Sequence, residues 1–137
     1  MGVMPPFTKD DVRELAGAKS YERGLGYLDA VEELEADDGG VYAAVQGTEL
    51  YSVRLRHGRG LGGECDCPWG EEGNFCKHCV AVALVYLHDR EHGVEIPRRF
   101  DLRERLAGMG RDRLEELLVE VAERHRGARR YLEQVVS

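Results

Sequence analysis

An α+β fold is predicted for this chain of 137 residues: a small antiparallel β-meander, then a metal-binding knuckle leading into a buried helix, then C-terminal helices. Three observations predict it. Between positions 31 and 57 short segments are punctuated by glycine-containing turns, and apolar and polar residues alternate most clearly in the third of them. The run Cys79–Leu87 is apolar throughout, too short for a membrane span of about 20 residues but suited to a helix covered on every side. Finally, all four cysteines (Cys65, Cys67, Cys76 and Cys79) fall inside 15 residues.

The elements follow in order. Thr8 with Asp11 three residues on marks a helix start, and Val12, Leu15 and Ala16 give its apolar stripe, so a short helix is expected over 9–17. A second short helix over 20–27 would place Tyr21, Leu25 and Leu28 on one face. Three strands are expected at 31–37, 41–46 and 49–57. In the third, Tyr51, Val53 and Leu55 face one way while Ser52, Arg54 and Arg56 face the other. Asp38-Gly39-Gly40 and Gly47-Thr48 suit tight hairpins. Residues 58–75, rich in glycine, read as loop. A helix then begins at Cys76 and runs to the stop at Gly93. Because it is apolar all round, it needs the sheet on one face and a second cover on the other, expected from the C-terminal segment.

In that segment Leu102, Leu106 and Met109 define one short helix. Asp112 and Glu115 form a capping box for a longer one, ended by Gly127, and Tyr131, Leu132, Val135 and Val136 lie in a last one. The organisation expected is one domain over 1–93, in which N-terminal helices and the β-meander lead to the cysteine cluster and its helix, and a helical extension over 94–137 packing on the same core.

Composition narrows the function. Net charge is −7, with 19 basic and 26 acidic side chains, which excludes bulk attraction to nucleic acid or anionic membrane. The acid excess belongs wholly to residues 1–50, so a local basic face remains open to the rest. The first residues lack a basic and apolar leader pattern, and a cytoplasmic location is expected. In a reducing compartment four clustered thiols hold a metal more often than they form bridges.

Cys65-x-Cys67 and Cys76-x-His78, separated by eight residues, supply the four soft ligands of a tetrahedral zinc. Gly70 and Gly73 let the loop between the pairs turn, and Pro68 stiffens the exit from the first pair. Five candidate ligands compete for four positions. Cys79 opens the uniformly apolar run, where a free cysteine behaves as a small hydrophobe, and this favours His78 as the fourth ligand. Of the other histidines, His57 and His125 read as solvated surface residues.

Other motifs fall away on context. His88-Asp89-Arg90-Glu91-His92 has the H-x-x-E-H spacing of inverted zinc proteases, but it sits in the last turn of a helix and lacks a further acidic ligand. Gly58 to Gly63 satisfies G-x-G-x-x-G yet leads into the cysteine knuckle, not into a helix N-terminus that could cradle phosphate. No G-x-S-x-G occurs, and the chain is expected to be no enzyme, with no small-molecule substrate and no membrane partner.

C-D-C-P-W at 65–69 with F-C-K-H-C-V-A-V-A at 75–83 resembles the SWIM zinc finger, whose pattern is Cys-x-Cys, a variable spacer and Cys-x-His. S-Y-E-R-G at 20–24 and V-Q-G-T-E-L-Y-S-V at 45–53 are similar to the segment preceding the finger in bacterial members. The resemblance is strict over 65–83 and looser from about 20 to 88. It implies Cys65, Cys67, Cys76 and His78 as ligands of one structural Zn²⁺, with Cys79 at a position the family fills with an apolar residue. It also implies recognition of DNA, or service to a helicase-like remodelling ATPase with this chain acting in trans as a separate subunit. A basic rim of Arg54, Arg56, Arg59 and Lys77, with Trp69 available for base stacking, would carry nucleic acid. The competing expectation is a protein-interaction adaptor whose zinc is purely structural.

Overall fold

The computed structural model describes residues 4–137 as two compact units, one extending to Arg99 and the other Phe100–Ser137. The first begins with helix α1 (Lys9–Ala16), whose entry is the expected cap: the Asp11 N–H donates to Thr8 Oγ1 at 3.2 Å and the Thr8 N–H donates to Asp11 Oδ2 at 2.8 Å. Helix α2 (Ala18–Gly24) follows, and a 3-10 helix (Leu25–Ala30) delivers the chain to the sheet.

Four antiparallel strands lie in sequence order: β1 (Val31–Ala36), β2 (Gly40–Gln46), β3 (Leu50–Arg56) and β4 (Gly62–Cys65). The predicted phase of β3 is the observed one, with Tyr51, Val53 and Leu55 buried and Ser52, Arg54 and Arg56 exposed. Pairing with β2 sets Val41 opposite Leu55 and Val45 opposite Tyr51, so two rows of apolar side chains share the inner face. β1 carries a bulge between Glu32 and Glu35, where Glu33 takes a left-handed backbone (φ 55°).

At the β1–β2 turn Asp37 accepts from the N–H groups of Gly39 (3.0 Å) and Gly40 (2.8 Å) and from the Tyr42 hydroxyl. Burial alone would raise this carboxyl. The hydrogen bonds and the Arg99 guanidinium outweigh burial and hold it below its ordinary value.

The fourth strand, Gly62–Cys65, lies inside residues 58–75, whose composition predicts loop. Gly62-Gly63-Glu64-Cys65 has poor intrinsic strand character, but the free edge of β3 supplies the pairing that its own side chains do not. Leu55 faces Gly63 across the ladder, and a Cβ at Gly63 would lie 2.7 Å from the Phe75 ring. The glycine that weakens the strand by composition is the residue that lets Phe75 close over it. A single-turn helix α3 (Pro68–Glu71) also lies inside the predicted loop.

Helix α4 (Lys77–Glu91) is the centre of this unit. Nine of its residues are buried, running from His78 to Leu84 with Tyr86 and Leu87. It packs against the sheet and also against α1, α2 and the 3-10 helix. The second cover therefore comes from the N-terminal helices and not, as expected, from the C-terminal segment. Tyr86 stacks on Phe7 at a centroid distance of 5.6 Å. His57, expected at the surface, is half-buried beside Phe7, and burial pulls its pKa down. Beyond α4, the Ala36 N–H donates to the Pro97 carbonyl and the Arg99 N–H donates to the Ala36 carbonyl, tying 97–99 to the edge of β1.

The second unit holds α5 (Leu102–Ala107), α6 (Arg111–Arg124) and α7 (Arg126–Val136). The capping box expected at Asp112 does not form. Gly110 is the N-cap of α6 and Asp112 lies in its first turn, while Glu115 pairs along the helix with Arg111 at 3.1 Å. The side-chain cap occurs one helix earlier, where Asp101 accepts from the Glu104 N–H at 3.0 Å. Nor does Gly127 end α6: the break falls at His125, and Gly127 lies in the first turn of α7. Among the described residues the buried positions all lie between Phe7 and Leu87, and this second unit has none.

Candidate metal centre

The knuckle is built from three elements. Register across β3–β4 pairs Cys65 with Val53, which turns Cys65 to the buried side at the end of β4. The chain then bends at Asp66, which holds the turn to β3: the Ser52 N–H donates to Asp66 Oδ1 at 2.8 Å. That latch has a sequence signal, an acid between two knuckle cysteines, but its partner fourteen residues upstream is visible only in the fold. Cys67 caps α3, and its Sγ accepts from the Gly70 N–H at 3.2 Å. Cys76 is the N-cap of α4, which places His78 in the first turn of the helix, facing the same point.

The ligand atoms of Cys65, Cys67, Cys76 and His78 all lie within 4.8 Å of one another, and all four residues are buried. His78 Nδ1 is 3.6 Å from Cys65 Sγ and 3.7 Å from Cys76 Sγ. Zinc bonds of about 2.3 Å to sulfur and about 2.0 Å to nitrogen at tetrahedral angles give N···S edges of about 3.5 Å, so the cage has the size of a zinc site. Cys79 lies outside the group. It is fully buried, with its Sγ 3.9 Å from Cys76 Sγ.

The imidazole of His78 is aimed by packing. It stacks on Tyr51 (centroids 4.9 Å apart) and meets Tyr27 edge-on at 5.0 Å. Its Nε2 is buried with no hydrogen-bond partner. Metal-bound histidines ordinarily donate that second N–H to a fixed acceptor; here the two tyrosine rings do the orienting.

Electrostatics favour a cation. Hydrogen bonding with Cys65 and with Cys79 lowers the Cys76 thiol below its ordinary value. The same bonds and burial drive Cys65 and Cys79 upward. Further thiolates in this buried space need added positive charge, which a divalent ion supplies when bound, displacing the protons. Four protein ligands close a tetrahedral shell, so the ion's part is to clamp β4, the knuckle and α4 together.

Gly70, inside α3, is a packing requirement. A Cβ there would sit 2.8 Å from the Cys65 Cβ and collide with the Cys65 carbonyl oxygen. Gly70→Ala is therefore expected to cost about 1–3 kcal/mol and to weaken zinc retention, measured by thermal melts and by metal content after competition with a chelator. Unchanged values in both would show that Cys65 can move aside.

The other predicted site residues are dispersed. Arg54 and Arg56 bracket Glu64, at 2.8 Å and 3.5 Å. Arg59 is exposed in the β3–β4 turn. Trp69 is 54% exposed on α3. Lys77 is half-buried at the start of α4, its ammonium 5.1 Å over the Tyr27 ring. His88 and His92 stack on each other at 4.1 Å, and neither belongs to a metal-sized cluster among the described residues.

Residues 51–87, about a quarter of the chain, match the SWIM zinc finger family, a span that begins in β3 and ends in α4. The chain carries a SWIM zinc finger, a zinc-binding module, and the match together with the Cys3His group points to one structural zinc ion. No curated protein and no solved structure is similar enough to the chain to count as a match. No helix among the described residues is long and apolar enough to cross a membrane.

Proposed function

We propose that the chain is a non-enzymatic binding module whose zinc holds a recognition surface for DNA, acting in trans beside a helicase-like remodelling ATPase. The observation that carries this is the surroundings of the closed Cys3His cage: a half-exposed indole, Trp69, stands at its rim with the cation Lys77. A closed coordination shell does not activate water or substrate, whereas an exposed ring beside fixed positive charge is what base and phosphate recognition requires. Arg59 sits in the β3–β4 turn and is not among the residues that line that rim. Arg54 and Arg56 share the carboxylate of Glu64 and do not line this rim.

Binding of labelled DNA is expected to weaken steeply with salt, by about 0.9 log unit per phosphate contact for each log unit of salt. Fluorescence anisotropy across a salt series measures that slope. No binding to single- or double-stranded DNA at low salt overturns the reading. One observation favours a protein-interaction adaptor as the second reading: in the Phe100–Ser137 unit Leu118, Val121, Tyr131 and Val135 are all exposed, an apolar surface suited to a partner helix.

A further inference from the structure

Beside the cage lies a groove of about 370 Å³ whose walls come from outside the matched finger as well as from within it. Lys19 and Arg23 project from α2, Lys77 from the first turn of α4 and Trp69 from α3, and the metal-facing Cys67 and Cys76 form part of the floor. No carboxylate lines the groove. Among the described residues none of the three cations is held in an ion pair, whereas Arg54 and Arg56 are both committed to Glu64. Three thiolates and one zinc dication carry a net charge of −1, so three cations leave the groove positive. This is notable in a chain of net charge −7: unopposed positive charge is gathered at one concave place, next to the chain's single tryptophan.

We infer that this groove, formed jointly by α2 and the finger, binds single-stranded nucleic acid, with phosphates on Lys19, Arg23 and Lys77 and a base stacked on Trp69. The inference rests on the nucleic-acid reading above and narrows it. Stacking on the indole needs a base whose face is free, which a single strand offers and an intact duplex hides between neighbouring pairs. The volume agrees, since it lies at the small end of the roughly 300–1,000 Å³ range of ligand pockets, with room for one nucleotide unit and not for a duplex. Periodicity does not reveal the arrangement, because Lys19 and Arg23 precede the first cysteine by more than forty positions and meet it only after α2 packs on α4.

The test uses the full zinc-loaded chain with an oligothymidine and an oligouridine of about 15 nucleotides and a duplex of the same length. Both single strands are expected to bind more tightly than the duplex and to quench Trp69 fluorescence. Trp69→Ala should weaken single-strand binding by roughly 5- to 150-fold, the equivalent of losing one stacked base. Lys19→Glu with Arg23→Glu should weaken it at least about tenfold and flatten the salt slope. Arg54→Ala with Arg56→Ala should leave it unchanged. Lys19 and Arg23 are exposed and are not among the metal-cluster residues, so zinc content and circular dichroism of that double variant should match the parent. Binding that survives Lys19→Glu/Arg23→Glu, that favours duplex, or that leaves the tryptophan signal untouched overturns the groove while sparing a nucleic-acid role elsewhere on the chain. Absence of binding to every probe removes both.

Discussion

Stripping the metal with a strong chelator unfolds the finger, and His78→Ala lowers zinc content and stability together, while Cys79→Ala keeps one zinc per chain. The magnitudes decide this. Structural zinc contributes on the order of 10 kcal/mol of apparent binding energy that is also folding energy, comparable to the whole net stability of a domain, about 5–15 kcal/mol. His78 loses doubly, since its ring is both a ligand and the packing partner of Tyr27 and Tyr51. Cys79 contributes only a small buried side chain outside the ligand group. Metal analysis of purified variants, with thermal melts in the presence and absence of chelator, reads both effects. Loss of zinc from Cys79→Ala with retention in His78→Ala would reverse the ligand assignment. Zinc affinity should also fall as pH is lowered. Hydrogen bonding to Cys76 and burial raise the Cys65 thiol above its ordinary value, so protons compete directly with the metal for its sulfur.

Leu55→Ala is expected to cost about 2–5 kcal/mol. Leu55 is fully buried, faces Val41 on one neighbouring strand and Gly63 on the other, and reaches the space that Phe75 closes. Truncating it leaves a cavity under the strand that presents Cys65. For a unit of roughly 100 residues such a loss should lower the melting temperature by more than about 10 °C, and differential scanning calorimetry of the zinc-loaded protein checks it. A shift of only a few degrees would mean that β4 and Phe75 collapse into the space.

Much of the site could be read directly. The ligand cluster was legible because cysteine and histidine carry their chemistry in their identity, and the short spacings Cys65-x-Cys67 and Cys76-x-His78 leave few geometries. Helices α1 and α4 announced themselves through a cap at Thr8 and a stop at Gly93. What escaped depends on partners distant in sequence. β4 has no strand signal because the open edge of β3 makes it a strand. The Asp66 latch needs Ser52, and the capping box read at Asp112 gave way to the pairing of Glu115 with Arg111. Arg54 and Arg56 show the limit most clearly: their outward phase followed from alternation, but Glu64, which pairs with both, arrives on a strand that alternation did not show.

By itself, then, the sequence determined the α+β class, the first three strands and a Cys3His metal cluster at the mouth of an apolar helix, because each rests on residue type and local spacing. Tertiary structure alone decided that the N-terminal helices cover α4, that Gly63 and Gly70 make room for Phe75 and Cys65, and that Lys19 and Arg23 stand beside Trp69. The physical reason is separation along the chain. Local patterns specify which face of an element is apolar, but only the packing of remote elements settles which surfaces meet and which charges remain unpaired.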